Sequence, residues 1–165
     1  MHRVANKIEC DSQEISRLSR ETLEMLAATD SITSPIRYRA AVKRVLRIRV
    51  IWESHVRIST EISAFLSSRD PRLYRCLHDL EMKQHSLARE LKLLTPNRWP
   101  RSTHFGLNSL RIQAFQTLPR LLHVLQQEEL YILPALHESV YPRVAMRASV
   151  VAEEADVVIH RSVSA

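Results

Sequence analysis

His55, His85 and His123, with the carboxylates Glu61, Glu81 and Glu128, are the residues through which this chain could do chemistry. Imidazole nitrogen and carboxylate oxygen are donors that suit iron, and bridging carboxylates can hold two ions close while neutralising their charge. About thirty residues separate His55 from His85 and about thirty-eight separate His85 from His123. That spacing suits ligands recurring at similar depth on successive antiparallel helices. Glu81 and His85 lie one turn apart and could serve one ion together. Glu128 stands five residues after His123, a step of roughly 140° around an ideal helix, so both reach one centre only through a local distortion. A histidine inside an apolar stripe also has a plainer use as a hydrogen-bonded core residue, and His55 near Trp52 fits that as well. His78 reads as a surface residue, His104 as part of a loop, and His137 as a helix end.

Helices must position these groups. The first is expected over about Lys7 to Ala28, with Ile8, Ile15, Leu18, Thr22 and Met25 at seam spacing and Ser12 in the same stripe. The second, about Ile36 to Ser67, carries Val45, Ile48, Trp52, His55, Ser59, Ile62 and Leu66 in alternating steps of three and four. Asp70 is a good N-cap for a third helix, and Pro71 suits its first turn. That helix, about Pro71 to Leu94, has a seam of Leu73, Leu77, Leu80, Leu87, Leu91 and Leu94, beside a second stripe of His78, Glu81, His85 and Ala88. Two prolines in 95–105 mark the main loop. The fourth helix is expected from near Gly106 to near Pro134, with a kink or restart at Pro119. Its stripe reads Leu118, Leu122, Leu125, Ile132 and Leu136, interrupted by Glu129. Four long helices joined by short links make an up-down-up-down four-helix bundle, all-α, over 1–138. Over 139–165, Val144, Ala148, Val151, Ala155 and Val158 lie opposite Glu153, Glu154 and Asp156, which predicts a short additional helix docked on or trailing the bundle.

A His followed by paired Glu and a leucine-proline ending, as in His123, Glu128, Glu129, Leu133 and Pro134, resembles the last bundle helix of hemerythrin-like (HHE) proteins. The order and spacing of the motifs extend the resemblance over Glu9 to Leu136. It implies a non-haem iron site with an open position for O₂ or NO, and a role in redox sensing or iron handling. The implied ligands are His55, His85, His123 and Glu128, with Glu61 and Glu81 as further carboxylates. The chain departs from the pattern at three points. Ser12 follows Asp11 where the family has His, Ser59 stands four residues after His55 where it has Glu, and Gln127 stands four residues after His123. At most one ion per chain is therefore expected, and Ser59 and Gln127 are expected still to face the site. The second reading is a metal-free member of the fold kept as a protein-interaction module. Its basic second helix or its C-terminal helix would then make the contact.

Composition sets the outer limits. The single glycine, Gly106, disfavours sheets joined by tight turns. Twenty-four Lys and Arg against eighteen Asp and Glu give a net charge of +6, which permits an acidic partner without demanding one. The run Arg37 to Arg49 has arginines on both sides of the Val45–Ile48 seam, the pattern of a solvated helix rather than of a nucleic-acid or lipid site. Cys10 and Cys76 form no metal or redox motif, and no stretch has the length and apolarity of an export signal or membrane span, so a cytoplasmic protein is expected. Nothing resembles a nucleophile triad, a phosphate loop or a nucleotide fingerprint, and no enzymatic activity is read from the chain.

Overall fold

The computed structural model describes residues 2–28, 35–94 and 103–140. These form four helices: α1 (His2–Ala27), α2 (Pro35–Arg69), α3 (Tyr74–Leu94) and α4 (Thr103–Val140), with a 3-10 turn over Pro71–Leu73 leading into α3. There is no strand among the described residues. Around the bundle α1 packs on α2 and α4, and α3 packs on the same two, with a diagonal contact from α2 to α4. The ion pairs Glu14–Arg47 and Glu21–Arg44 run in opposite chain directions on α1 and α2. Glu90–Arg120 and Lys83–Gln127 do the same for α3 and α4. The expected up-down-up-down bundle is thus the observed fold.

Each helix buries one stripe. On α2 every expected seam position from Val45 to Leu66 is buried, and the stripe continues back through Ala41 to Tyr38. On α1 the buried line is Ala5, Ile8, Ser12, Ile15, Thr22 and Leu26, with Met25 only partly covered. Asp70 caps the turn before α3, its carboxylate accepting from the Arg72 backbone N–H at 3.0 Å, and Pro71 occupies the first turn. Asp70 is thus the N-cap expected from the sequence.

Two expectations are corrected by the structure. The α4 stripe is Leu118, Leu121, Leu125, Glu128, Ile132 and Leu136, so Leu121 and Glu128 take the core places expected of Leu122 and Glu129. Both series step by threes and fours, so spacing does not choose between them; Glu128 turns inward where His55, Ser59 and Gln84 meet it, and Leu121, two turns earlier, shares its direction. In addition, α4 continues unbroken through Pro119 and Pro134. Both prolines are exposed, and the carbonyls they leave without an intrahelical donor belong to Phe115 and Leu130, four residues back on the solvent side. Water can satisfy carbonyls there, so the helix survives. The short helix expected within 139–165 lies, from residue 141 on, outside the described residues.

Candidate functional site

Among the described residues, the one extensively hydrogen-bonded polar point in the core lies between α2, α3 and α4. Glu128, buried on α4, is its centre. Its Oε2 lies 2.6 Å from His55 Nε2, so one proton sits on the line between imidazole and carboxylate. Its Oε1 accepts from Ser59 Oγ at 3.0 Å and from the side-chain amide of Gln84. Gln84 Nε2 also donates to Ser59 Oγ at 2.8 Å, closing a ring of three side chains to which His55 is joined through the other carboxylate oxygen. Trp52 completes the surroundings. It stacks on His55 with ring centroids 5.4 Å apart and planes 16° from parallel, and its indole N–H donates to the Gln84 carbonyl at 3.3 Å. All five residues are buried, and His55 Nδ1 finds no hydrogen-bond partner among the described residues.

The local sequence explains this convergence. His55 and Ser59 are one turn apart on α2 and occupy consecutive seam positions, so both side chains project toward the same neighbours. Gln84 fills the seam place between Leu80 and Leu87 on α3, and Glu128 that between Leu125 and Ile132 on α4. A buried carboxylate without donors would cost several kcal/mol, and here three donors from two other helices meet it.

The sequence-derived ligands divide. His55 and Glu128 are brought together. His85 is half exposed and faces Glu81 on its own helix at 3.7 Å, away from the core. His123 and Glu61 are exposed on the outer faces of α4 and α2. The three imidazoles expected to converge therefore do not. Position 85 is one residue beyond the α3 seam and position 123 two residues beyond Leu121, angular offsets of about 100° and 200° that turn the rings toward water. Ser59 faces the interior as expected. Gln127 does not: it is only partly buried, and its Oε1 accepts from Lys83 on the surface. Gln84 lies outside the set of residues expected from the sequence. Its signal was the unfilled seam place between Leu80 and Leu87.

On α1, Ser12 is buried with no partner for its Oγ among the described residues, and Asp11 is held by Lys7 one turn earlier. Neither contributes a donor to the ring. A donor set of one imidazole and one carboxylate, joined by a shared proton and supplemented by a hydroxyl and an amide, does not fit a di-iron centre. No group of three or more His, Cys, Asp or Glu gathers to hold a metal among the described residues. What this arrangement can do is fix the relative register of three helices, because displacing any one of them breaks a hydrogen bond inside a dry core.

The basic run of α2 resolves into individual contacts. Arg47 meets Glu14 at 2.7 Å and Arg44 meets Glu21 at 3.6 Å, both across to α1, while Arg49 meets Glu53 at 3.0 Å along its own helix. No helix among the described residues is long and apolar enough to cross a membrane. Against known proteins, no family model, no curated protein and no solved structure matches this chain.

Proposed function

We propose that this chain is a metal-free helical bundle working as a protein-interaction module, with its inner polar residues serving register rather than catalysis. One observation carries this reading: both oxygens of Glu128 are already engaged by His55, Ser59 and Gln84, in a core point that holds a single imidazole. A metal ion there would have to displace at least one of those bonds and would gain only two strong donors. The surface is then where function resides. The basic second helix offers exposed Arg39 and Lys43, neither of which joins an ion pair among the described residues, beside exposed Ile36, Leu46 and Val50. The rival reading, an iron protein that senses O₂, NO or redox state, is tested directly. Protein purified from iron-supplemented cells should carry far less than one iron per chain, and ferrous iron added anaerobically should leave its thermal midpoint unchanged. One or two tightly held irons per chain, or a marked rise in midpoint, would overturn the proposal.

A further inference from the structure

The outer face of α4 is unlike the other exposed faces of the bundle. Ile112, Phe115 and Leu130 are 61%, 42% and 69% exposed, although each is large and apolar. They share one stripe with Pro119, His123 and Gln126, also exposed, and no Lys, Arg, Asp or Glu stands on that stripe from Ile112 to Leu130. The outer face of α2 also exposes apolar side chains, but it interleaves them with Arg39, Lys43 and Arg47 and would repel a copy of itself. The α4 face carries no such penalty. Its charges lie on its flanks. Arg111 and Glu129, on the α1 side of the stripe, form no ion pair among the described residues.

From these observations we infer that the outer face of α4 is an isologous interface, on which two copies of this chain pack with their α4 helices antiparallel. The spacing supports it in three ways. Ile112 and Leu130 are about five turns apart, so they share one direction around the helix, and the same holds for Arg111 and Glu129. A two-fold axis crossing near Arg120 and Leu121 sets Ile112 against the partner's Leu130, and Pro119 against the partner's His123. In face-to-face antiparallel packing the two-fold keeps like flanks together, so Arg111 lies opposite the partner's Glu129, and the pair occurs twice. Parallel packing would set Arg111 against the other flank and lose both pairs. The stripe is about 27 Å long. One helix face of that length is small beside the roughly 800 Å² per partner of a standard interface, so the dimer is a reversible one in the micromolar range. The inference does not depend on the polar core, and iron analysis in either direction leaves it standing.

The test is sedimentation velocity on the full chain over a concentration series, with circular dichroism to check that each variant is folded. The wild-type chain should shift from monomer to dimer through the micromolar range. Leu130→Glu should weaken association at least about tenfold, since it sets a charge against the partner's Ile112 at both ends of the stripe. Arg111→Glu and Glu129→Arg should each weaken it by about tenfold, and the double variant Arg111→Glu/Glu129→Arg should return to within about threefold of wild type. The double reversal is decisive because a loss of fold would not be rescued by a second charge change. A chain that stays monomeric up to millimolar concentration would overturn the inference and leave the face to another occupant, such as residues 141–165. A dimer unaffected by any of these substitutions would overturn it by showing that the contact lies elsewhere.

Discussion

Glu128 accepts hydrogen bonds from three side chains, and that makes it the residue whose loss should be felt most widely. Replacing it with Ala leaves His55 Nε2, Ser59 Oγ and Gln84 Nε2 without their common acceptor and opens a cavity among them. Truncating one member of a buried, hydrogen-bonded charged set costs about 3–5 kcal/mol, which urea denaturation of Glu128→Ala should register as a fall in midpoint at unchanged slope. The surroundings of Ser59 and Gln127 give a sharper contrast. Ser59→Glu would press a second carboxylate against Glu128 in the dry core, costing several kcal/mol or binding a proton instead. Gln127→Glu would meet Lys83 at the surface and change stability by about 1 kcal/mol or less. If Ser59→Glu is harmless, or if Glu128→Gln fails to relieve it, the two side chains do not share a site.

At the scale of elements, the entry to α3 depends on Asp70, whose carboxyl the Arg72 guanidinium and backbone N–H hold below the usual carboxylate value. A lowered folded-state value means that the cap's contribution is fully present above the ordinary carboxylate range. It is lost as pH falls through the folded-state value. Asp70→Ala should therefore lower the thermal midpoint modestly at neutral pH, and the difference from wild type should vanish in strong acid. A constant difference at all pH values would mean that the carboxylate charge plays no part. The asparagine variant, which keeps the cap oxygen without the charge, separates the two contributions. This cap and the α2 seam were legible in the sequence because each is set by local rules, one by Asp-Pro chemistry and the other by a faultless three-four spacing. The seams of α3 and α4 were only half legible. Leu121 and Leu122 are both leucine, Glu128 and Glu129 both glutamate, and Gln84 adjoins His85, so neighbouring residues compete for one inward place. On α3 only Gln84 keeps the alternation; on α4 Leu122 and Glu129 fit the spacing as well as Leu121 and Glu128, and tertiary packing, with three donors meeting Glu128, decided between them. Chemical interest pointed instead to His85 and His123, which the same alternation turns outward. On α3 the regular stripe was a better guide to burial than the donor chemistry of His85, whereas on α4 spacing alone left two phases open.

For the whole molecule, the question is what a bundle gains by keeping a hydrogen-bonded ring in a core built mainly of leucine, isoleucine, valine and alanine. Apolar cores stabilise without much regard for register, since one leucine layer packs against the next in several ways. A polar ring spread over three helices is different. His55 and Ser59 on α2, Gln84 on α3 and Glu128 on α4 satisfy one another in one axial alignment, and a slip of one turn on any helix would leave a buried carboxylate facing leucine. Stability and specificity should therefore separate when the ring is replaced. A variant with His55→Leu, Ser59→Ala, Gln84→Leu and Glu128→Leu leaves no unpaired polar partner behind. Comparable replacements of buried charged sets in other proteins have been neutral or stabilising by about 1–4 kcal/mol. We expect the same direction for this bundle, with a higher denaturation midpoint than wild type. We also expect a less singular core, visible as broadened side-chain resonances around Trp52 and faster amide exchange in α3 and α4. Trp52 is a suitable reporter because its indole N–H donates to the Gln84 carbonyl, a backbone group that the substitutions leave in place. A variant that is both more stable and as sharply ordered as the wild type would show that the ring is not needed for register. A variant that loses several kcal/mol would show instead that the four side chains contribute net stability, and that the leucine layers alone do not close the bundle.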